Sequence, residues 1–264
     1  MTAQEQKAEQ FRALHKGAPF VIPNPWDAGS ARVLAALGFE ALATTSSGFA
    51  FTLGRLDGAA TLDEVFAHTA ALDAATALPV SVDLENGYGP EPADAAHAIA
   101  RIAKAGAVGG SIEDFDPAGR LYEPAHAAER VAAAVAEART LGFPFMLTAR
   151  AENHIRGNPD LDDTIARLQA YERAGADVLY APGLPTVEEI RAVCDVVSKP
   201  VNVLAVPGLS FAEVAAAGAQ RVSVGGALAW VTVKAFADAA EAIHERGDFS
   251  ALAVRLPLDE WLAG

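Results

Sequence analysis

A single cysteine, Cys194, is the whole thiol complement of this 264-residue chain. One thiol excludes a disulfide framework within the chain and any clustered thiolate metal site, and it fits a reducing compartment. Positive charge is scarce too: against 34 Asp and Glu stand 20 Lys and Arg, a formal net charge of −14. That balance argues against nucleic acid and anionic membrane surfaces as partners. An acidic protein that binds small anions must concentrate positive charge locally, and a metal ion is one way to do so. Long apolar runs are missing as well. None approaches the ~20 residues that cross a bilayer, and Met1–Gly17 is polar and charged without the apolar core of a signal peptide. A soluble, cytoplasmic protein is the expectation.

What is present is core material. The chain is 52% hydrophobic with 22 glycines, enough to bury a full core. One stretch stands out: Pro79-Val80-Ser81-Val82-Asp83-Leu84-Glu85-Asn86-Gly87-Tyr88-Gly89. A short apolar run ends in two carboxylates and a glycine-rich turn. Residues two apart on an extended chain share a face, so Asp83 and Glu85 project together. Side by side they repel unless a proton or a cation lies between them. Oxygen ligands with room left for water suit Mg²⁺. A helix cap followed by a turn also accounts for Asp, Asn and Gly here, and this stretch alone leaves both readings open.

Along the chain, short apolar strands alternate with amphipathic helices. A surface helix from about Thr2 to His15 precedes the strand Phe20 to Pro23, and Asp27 is placed to cap a helix over Ala28–Leu37. Strands follow at Ala41–Thr45, around Val80, and at Val108–Ile112, Phe145–Ala149, Val178–Ala181, Val201–Leu204 and Arg221–Val224. Helices fall between them, beginning near Leu62 and covering Asp94–Lys104, Ala127–Thr140, Leu161–Ala174, Val187–Val196 and Phe211–Ala216, with a last one from Ala227 to His244. The pattern gives eight strand-plus-helix units in roughly the ~250 residues of a closed (β/α)₈ TIM-type barrel, an α/β fold. Ala105-Gly106-Ala107, Ala174-Gly175-Ala176 and Ala217-Gly218-Ala219 each sit between a helix and the next strand, where glycine serves the helix C-terminus. An open doubly wound sheet is the alternative, but no G-x-G-x-x-G follows the first strand. No Pro, Ser or charge-rich linker divides the chain. One domain over 1–264 is expected, with an N-terminal helix at about 2–16 and a C-terminal helical segment at about 227–262.

Barrel chemistry sits at the C-terminal strand ends. Those ends read Trp26-Asp27, Ser46-Ser47-Gly48, Asp83 and Glu85, Glu113 and Asp114, Arg150 and Glu152, then Tyr180, Asn202 and Ser223. Each alone is compatible with a solvated strand end. Converging on one mouth, carboxylates and an arginine point to a site.

The set Thr45-Ser46-Ser47-Gly48, Leu56-Asp57-Gly58, Val82-Asp83-Leu84-Glu85-Asn86-Gly87-Tyr88-Gly89, Ser111-Ile112-Glu113-Asp114 and Thr148-Ala149-Arg150 resembles the isocitrate lyase/phosphoenolpyruvate mutase superfamily. The similarity is greatest to its small mutase-like branch. The resemblance implies a Mg²⁺-dependent enzyme, with Mn²⁺ as a possible substitute, that makes or breaks a C–C or P–C bond beside a 2-oxo acid. It further implies Asp83 as direct metal ligand, with Asp57, Glu85 and Glu113 holding the metal's waters. Ser47 and the amides of Gly48 and Phe49 would hold a substrate carboxylate or phosphonate, Arg150 would face the enolate, and Asn202 would donate to the ligand. Arg150, Asp57 and Glu113 are thereby the expected catalytic groups. The resemblance also implies a homo-oligomer, dimer or tetramer, with the eighth helix swapped between subunits; Trp230, Val231 and Phe236 make that segment apolar enough.

The chain departs from the superfamily after Glu113. Phe115-Asp116-Pro117-Ala118-Gly119-Arg120-Leu121-Tyr122 replaces the cysteine-bearing loop of the lyases and lacks the Lys-Thr-Asn loop of a phosphonate mutase. Cys194, beside Val193 and Val196 on an expected helix, reads as a core residue. Tyr122, His126, His154 and Tyr180 are the candidates for a replacement acid or base. Three functions remain: a lyase or decarboxylase of small 2-oxo or 2-hydroxy di- or tricarboxylates working through an enolate, a phosphonopyruvate-type mutase or hydrolase, and a non-catalytic 2-oxo acid binder. A phosphate-binding barrel using Gly225-Gly226 leaves the acidic cluster unexplained.

Overall fold

The computed structural model describes residues 1–263 and shows an eight-stranded, all-parallel sheet rolled into a barrel. Its strands are β1 (Phe20–Ile22), β2 (Leu42–Ala43), β3 (Val80–Asp83), β4 (Gly109–Glu113), β5 (Met146–Arg150), β6 (Val178–Tyr180), β7 (Val201–Leu204) and β8 (Arg221–Ser223). Consecutive strands are neighbours from β2 to β8, and β8 pairs with β1. Ala43 N–H donates to Pro23 O at 3.0 Å and brings β2 round to the end of β1. The expected (β/α)₈ fold is what the sequence forms.

Local chemistry sets the element ends. Asp27 caps helix Ala28–Ala36 as expected, accepting from Ser30 N at 2.7 Å. Two helices begin earlier than their apolar pattern suggests, at Pro92 and Pro124. Proline suits the first helical turn, where its missing N–H has no partner to lose.

Two elements were not expected. Ser46–Thr52 forms a short helix capped by Thr45, and Phe115–Asp116 pairs antiparallel with Arg120–Leu121 in a small hairpin after β4. Gly48 lets the short helix pack closely: a Cβ there would lie 2.6 Å from Thr45 Cγ2 and 3.1 Å from Trp26 Cβ.

Helices Pro92–Lys104 and Pro124–Ala138 bury alanine-rich stripes, among them Ala95, Ala98, Ala103, Ala127 and Ala134. Small side chains allow them to lie close together on the outer ring. The N-terminal helix, Ala3–Leu14, closes the lower end of the barrel, where Ala8 and Phe11 are fully buried among Phe20, Ile22, Val108, Met146 and Val178. The last long helix behaves differently. Of the 20 residues Ala227–Arg246, only Ala229 is buried, and Phe236 is 73% exposed.

Candidate active site

The strand register assembles the site. Glu113 on β4 stands beside Arg150 on β5, Arg150 beside Tyr180 on β6, Tyr180 beside Asn202 on β7, and Asn202 beside Arg221 on β8. Asp83 at the end of β3 is in register with Ser111. A cavity of about 160 Å³ opens among Asp83, Ser111, Arg150, Tyr180, Asn202 and Arg221, lined also by Ser46, Ser47, Asp57 and Ser223. Above it, a wider cavity of about 400 Å³ is bounded by Asp57, Glu85, Glu113, Phe115, Arg150 and Arg156.

Arg150 is the hub. Its Nη1 donates to Asp83 Oδ1 at 2.8 Å, and its Nη2 lies 3.0 Å from Glu113 Oε2 and 2.7 Å from Glu152 Oε1. The neighbouring carboxylates hold its guanidinium well above its ordinary pKa, against the opposing effect of burial. Glu113 is pushed well up, by burial first, with Glu152 and Asp83 adding repulsion. Arg156 adds a second cation, 3.1 Å from Glu152 and 3.4 Å from Glu113, stacked 3.9 Å above the Phe115 ring.

Glu85 sits on strained backbone. Its φ is +49°, and Tyr88 follows at +64°, a left-handed region that non-glycine residues seldom adopt. Between them Gly87 has φ +82°, and a Cβ there would lie 3.0 Å from Ala95 Cα. Burial raises the Glu85 carboxyl to about 7, helped by the charges of Asp83 and Asp57. Strain of this kind persists where surrounding contacts over-determine it, and it concentrates at functional sites.

Comparison with known proteins decides the family. The model of the phosphoenolpyruvate phosphomutase family matches residues 11–244. The chain belongs to that family. A crystal structure from Burkholderia cenocepacia, provisionally described as a lyase/mutase, is 51% identical with a TM-score of 0.97, covering 100% of this chain and 98% of the other. An uncharacterized protein of Mycobacterium tuberculosis is 36% identical over 88% of this chain and 87% of its own length. The 2-methylisocitrate lyase of Escherichia coli is 32% identical over 72% of this chain and 67% of its own length.

For a metal ion of the kind used in this superfamily, the donors are carboxylates with open coordination. Among the described residues no three His, Cys, Asp or Glu side chains form a closed cluster. Mg²⁺ does not need one, since it keeps several waters and takes one or two carboxylates directly. Asp83 Oδ1 already accepts from Arg150, and Oδ2 accepts only a long bond from Ser46 N at 3.3 Å. Asp57 is exposed on the loop facing both cavities. Burial raises the Glu85 carboxyl and the charges of Asp83 and Asp57 add repulsion, which a divalent cation would relieve. The residues present fit the ion.

On the ligand side, Ser47 lines the inner cavity and its hydroxyl lies 3.2 Å from Thr45 Oγ1. The amides of Gly48 and Phe49 are engaged within the short helix, with Thr45 Oγ1 at 3.3 Å and Thr45 O at 3.0 Å. The helical cap thus claims both N–H groups, and the Ser47 hydroxyl remains beside the cavity. Asn202 is buried on the cavity floor. Of the four acid or base candidates, only Tyr180 lines the inner cavity. Tyr122 OH accepts from Asn86 at 3.0 Å, and His126 pairs with Pro90 O at 2.8 Å. His154 Nδ1 is buried without a protein partner. Cys194 is half-buried, and burial pushes its thiol up to about 11, which suits a packing role.

Sequence reasoning missed Arg156 and Arg221. Arg156 lies in a loop whose neighbours give no periodic signal. Arg221 marks only the start of the last strand in the sequence, and the structure places it inside the barrel, 4% exposed.

Proposed function

We propose that this protein is a Mg²⁺-dependent lyase or decarboxylase of small 2-oxo or 2-hydroxy di- or tricarboxylates, working through an enolate. The gathering of Asp83, Glu113 and Glu152 around Arg150 at the barrel mouth, with Glu85 beside them, carries this reading. Asp83 would hold the ion directly, with Asp57, Glu85 and Glu113 holding its waters; Mn²⁺ would substitute. When bound, the ion supplies positive charge beside the oxygen on which enolate charge develops. Arg150 stays protonated throughout and presents a fixed guanidinium to the same charge, without reorganisation as it forms. Asn202 and the Ser47 hydroxyl bind and orient the carboxylate end of the substrate.

The test is proton NMR of oxaloacetate, isocitrate and methylisocitrate with enzyme, with Mg²⁺ and with EDTA. Mg²⁺-dependent product that Asp83→Ala cannot make is the expected result. Full turnover by Asp83→Ala sinks the reading. The match to the phosphoenolpyruvate phosphomutase family favours phosphonate chemistry as a second reading, and phosphorus NMR of phosphonopyruvate separates the two. Saturable binding with no product from any compound would indicate a non-catalytic 2-oxo acid binder.

The assembly is proposed to be a homodimer or tetramer in which helix Ala227–Arg246 is exchanged. An outer-ring helix buries a stripe, as Pro92–Lys104 does with five residues. Ala227–Arg246 buries one and leaves Val231 and Phe236 in the open.

A further inference from the structure

Arg221 is buried at the base of the inner cavity, and the groups it bonds are all neutral. Its Nε donates to Asn202 Oδ1 at 2.7 Å, its Nη2 to Thr148 Oγ1 at 3.0 Å, and its Nη1 to His15 Nε2 at 3.2 Å. A buried cation without a counter-charge is costly, and a hydrophobic residue would fill a barrel core more simply.

The guanidinium can only donate, so it dictates the sense of every hydrogen bond that follows. His15 must be neutral with Nε2 bare, which leaves Nδ1–H to donate to Phe11 O at 2.8 Å. Asn202 must turn Oδ1 down to Arg221, and its Nδ2 then donates to Ser223 Oγ at 3.0 Å. One donor is left over, the second N–H of Asn202, and Asn202 lines the inner cavity.

We propose that Arg221 is a positioning residue that fixes Asn202 as a donor, so that the cavity floor takes a ligand group that only accepts: a carboxylate or a keto oxygen. The inference rests on the anion-binding enzyme reading above and adds its specificity device. It predicts a penalty for ligands that present a hydroxyl or amine hydrogen to the floor, because two donors would then face each other.

The test is a double-mutant cycle read by calorimetry, with oxalate in the presence of Mg²⁺ as the probe. Arg221→Met is expected to weaken oxalate about tenfold, the worth of one good hydrogen bond to a charged group. In an Asn202→Ala background the same change should cost less than about twofold, because its route is already gone. Arg221→Lys, which still donates to Asn202, should restore affinity toward wild type. Multiplying effects in the double variant, or a lowered melting temperature with unchanged affinity, would overturn the proposal. If Arg221→Met does not fold, Asn202→Asp serves: its carboxylate pairs with Arg221 but offers no N–H, so oxalate binding must fall, and unchanged affinity refutes the idea. If the wild-type protein does not bind oxalate at all, the parent reading fails, and the nitrogen-15 NMR signal of Arg221 Nε–H in the free protein decides the orientation. A slowly exchanging signal that moves in Asn202→Ala supports it; a fast-exchanging, unmoved one overturns it.

Discussion

Arg150 carries two loads, since it pairs with three carboxylates and faces the cavity in which enolate charge is proposed to develop. Removing one member of a buried charge cluster leaves the others unpaired, at about 3–5 kcal/mol. Arg150→Met should therefore lower stability by that order and abolish turnover. Arg150→Lys should stay folded yet lose about 10²–10³ in kcat, the range for a misplaced electrostatic donor. Urea melts and steady-state kinetics check both. His15 makes a different residue-scale prediction. Burial pushes its imidazole down to about 3, with Arg221 adding to the effect. Between about pH 6.5 and that value the unfolded chain binds a proton that the folded chain refuses, so stability falls as pH drops through the window. A His15→Gln variant lacks this contribution. The stability gap between wild type and variant should therefore narrow from pH 7 to pH 4.5 by urea midpoint, and parallel curves would refute it. Any contribution from Glu85 or Glu113 is common to both proteins and cancels in the difference. Asp83, Glu113 and Arg150 were legible in the sequence because each ends an apolar run. Arg221 was not, because its partners Asn202, Thr148 and His15 lie up to 206 residues away and only the barrel brings them together.

At the scale of elements, the loop from Glu85 to Glu91 is held from outside the site. Arg130, itself 1% exposed, donates to the carbonyls of Asn86, Gly89 and Glu91 and stacks 4.6 Å above the Tyr122 ring. The clamp offsets the left-handed backbone at Glu85 and Tyr88. Arg130→Met should leave the barrel's circular dichroism unchanged while weakening Mg²⁺ binding at least about tenfold, the worth of one of the three charge-assisted hydrogen bonds it removes. Faster amide exchange confined to this loop is the accompanying sign. Unaltered Mg²⁺ affinity would show that the loop holds itself. The strand–helix alternation was readable because period and caps agree, as at Asp27 and Leu62–Ala75. The Ser46–Thr52 helix was hidden because Ser-Ser-Gly reads as a turn, and Thr45 makes it a capped start instead. The hairpin after β4 was hidden by its two-residue strands, too short for any alternation to register.

For the whole molecule, the barrel turns an acidic chain into one that gathers cations at a single mouth. Arg150 and Arg156 stand among the carboxylates there, with Arg221 beneath, despite a net charge of −14. The same scale shows an apolar surface without cover. Trp230, Val231, Phe236, Phe249, Leu252 and Val254 are each more than 40% exposed along the C-terminal segment. Light scattering after gel filtration should give a multiple of the monomer mass, and Phe236→Asp with Val231→Asp should reduce it to one copy. A wild-type monomer would refute the exchanged helix.

Asp83 is proposed to organise a cation beside which an enolate-like dianion would be held. Oxalate carries two adjacent oxygens in the arrangement of a pyruvate enolate, so its calorimetric titration is the most direct test. Wild-type protein should bind oxalate with Mg²⁺, not with EDTA, and Asp83→Ala should bind it under neither condition. Equal affinity with and without Mg²⁺, or undiminished binding by Asp83→Ala, would show that Asp83 holds no cation for the ligand.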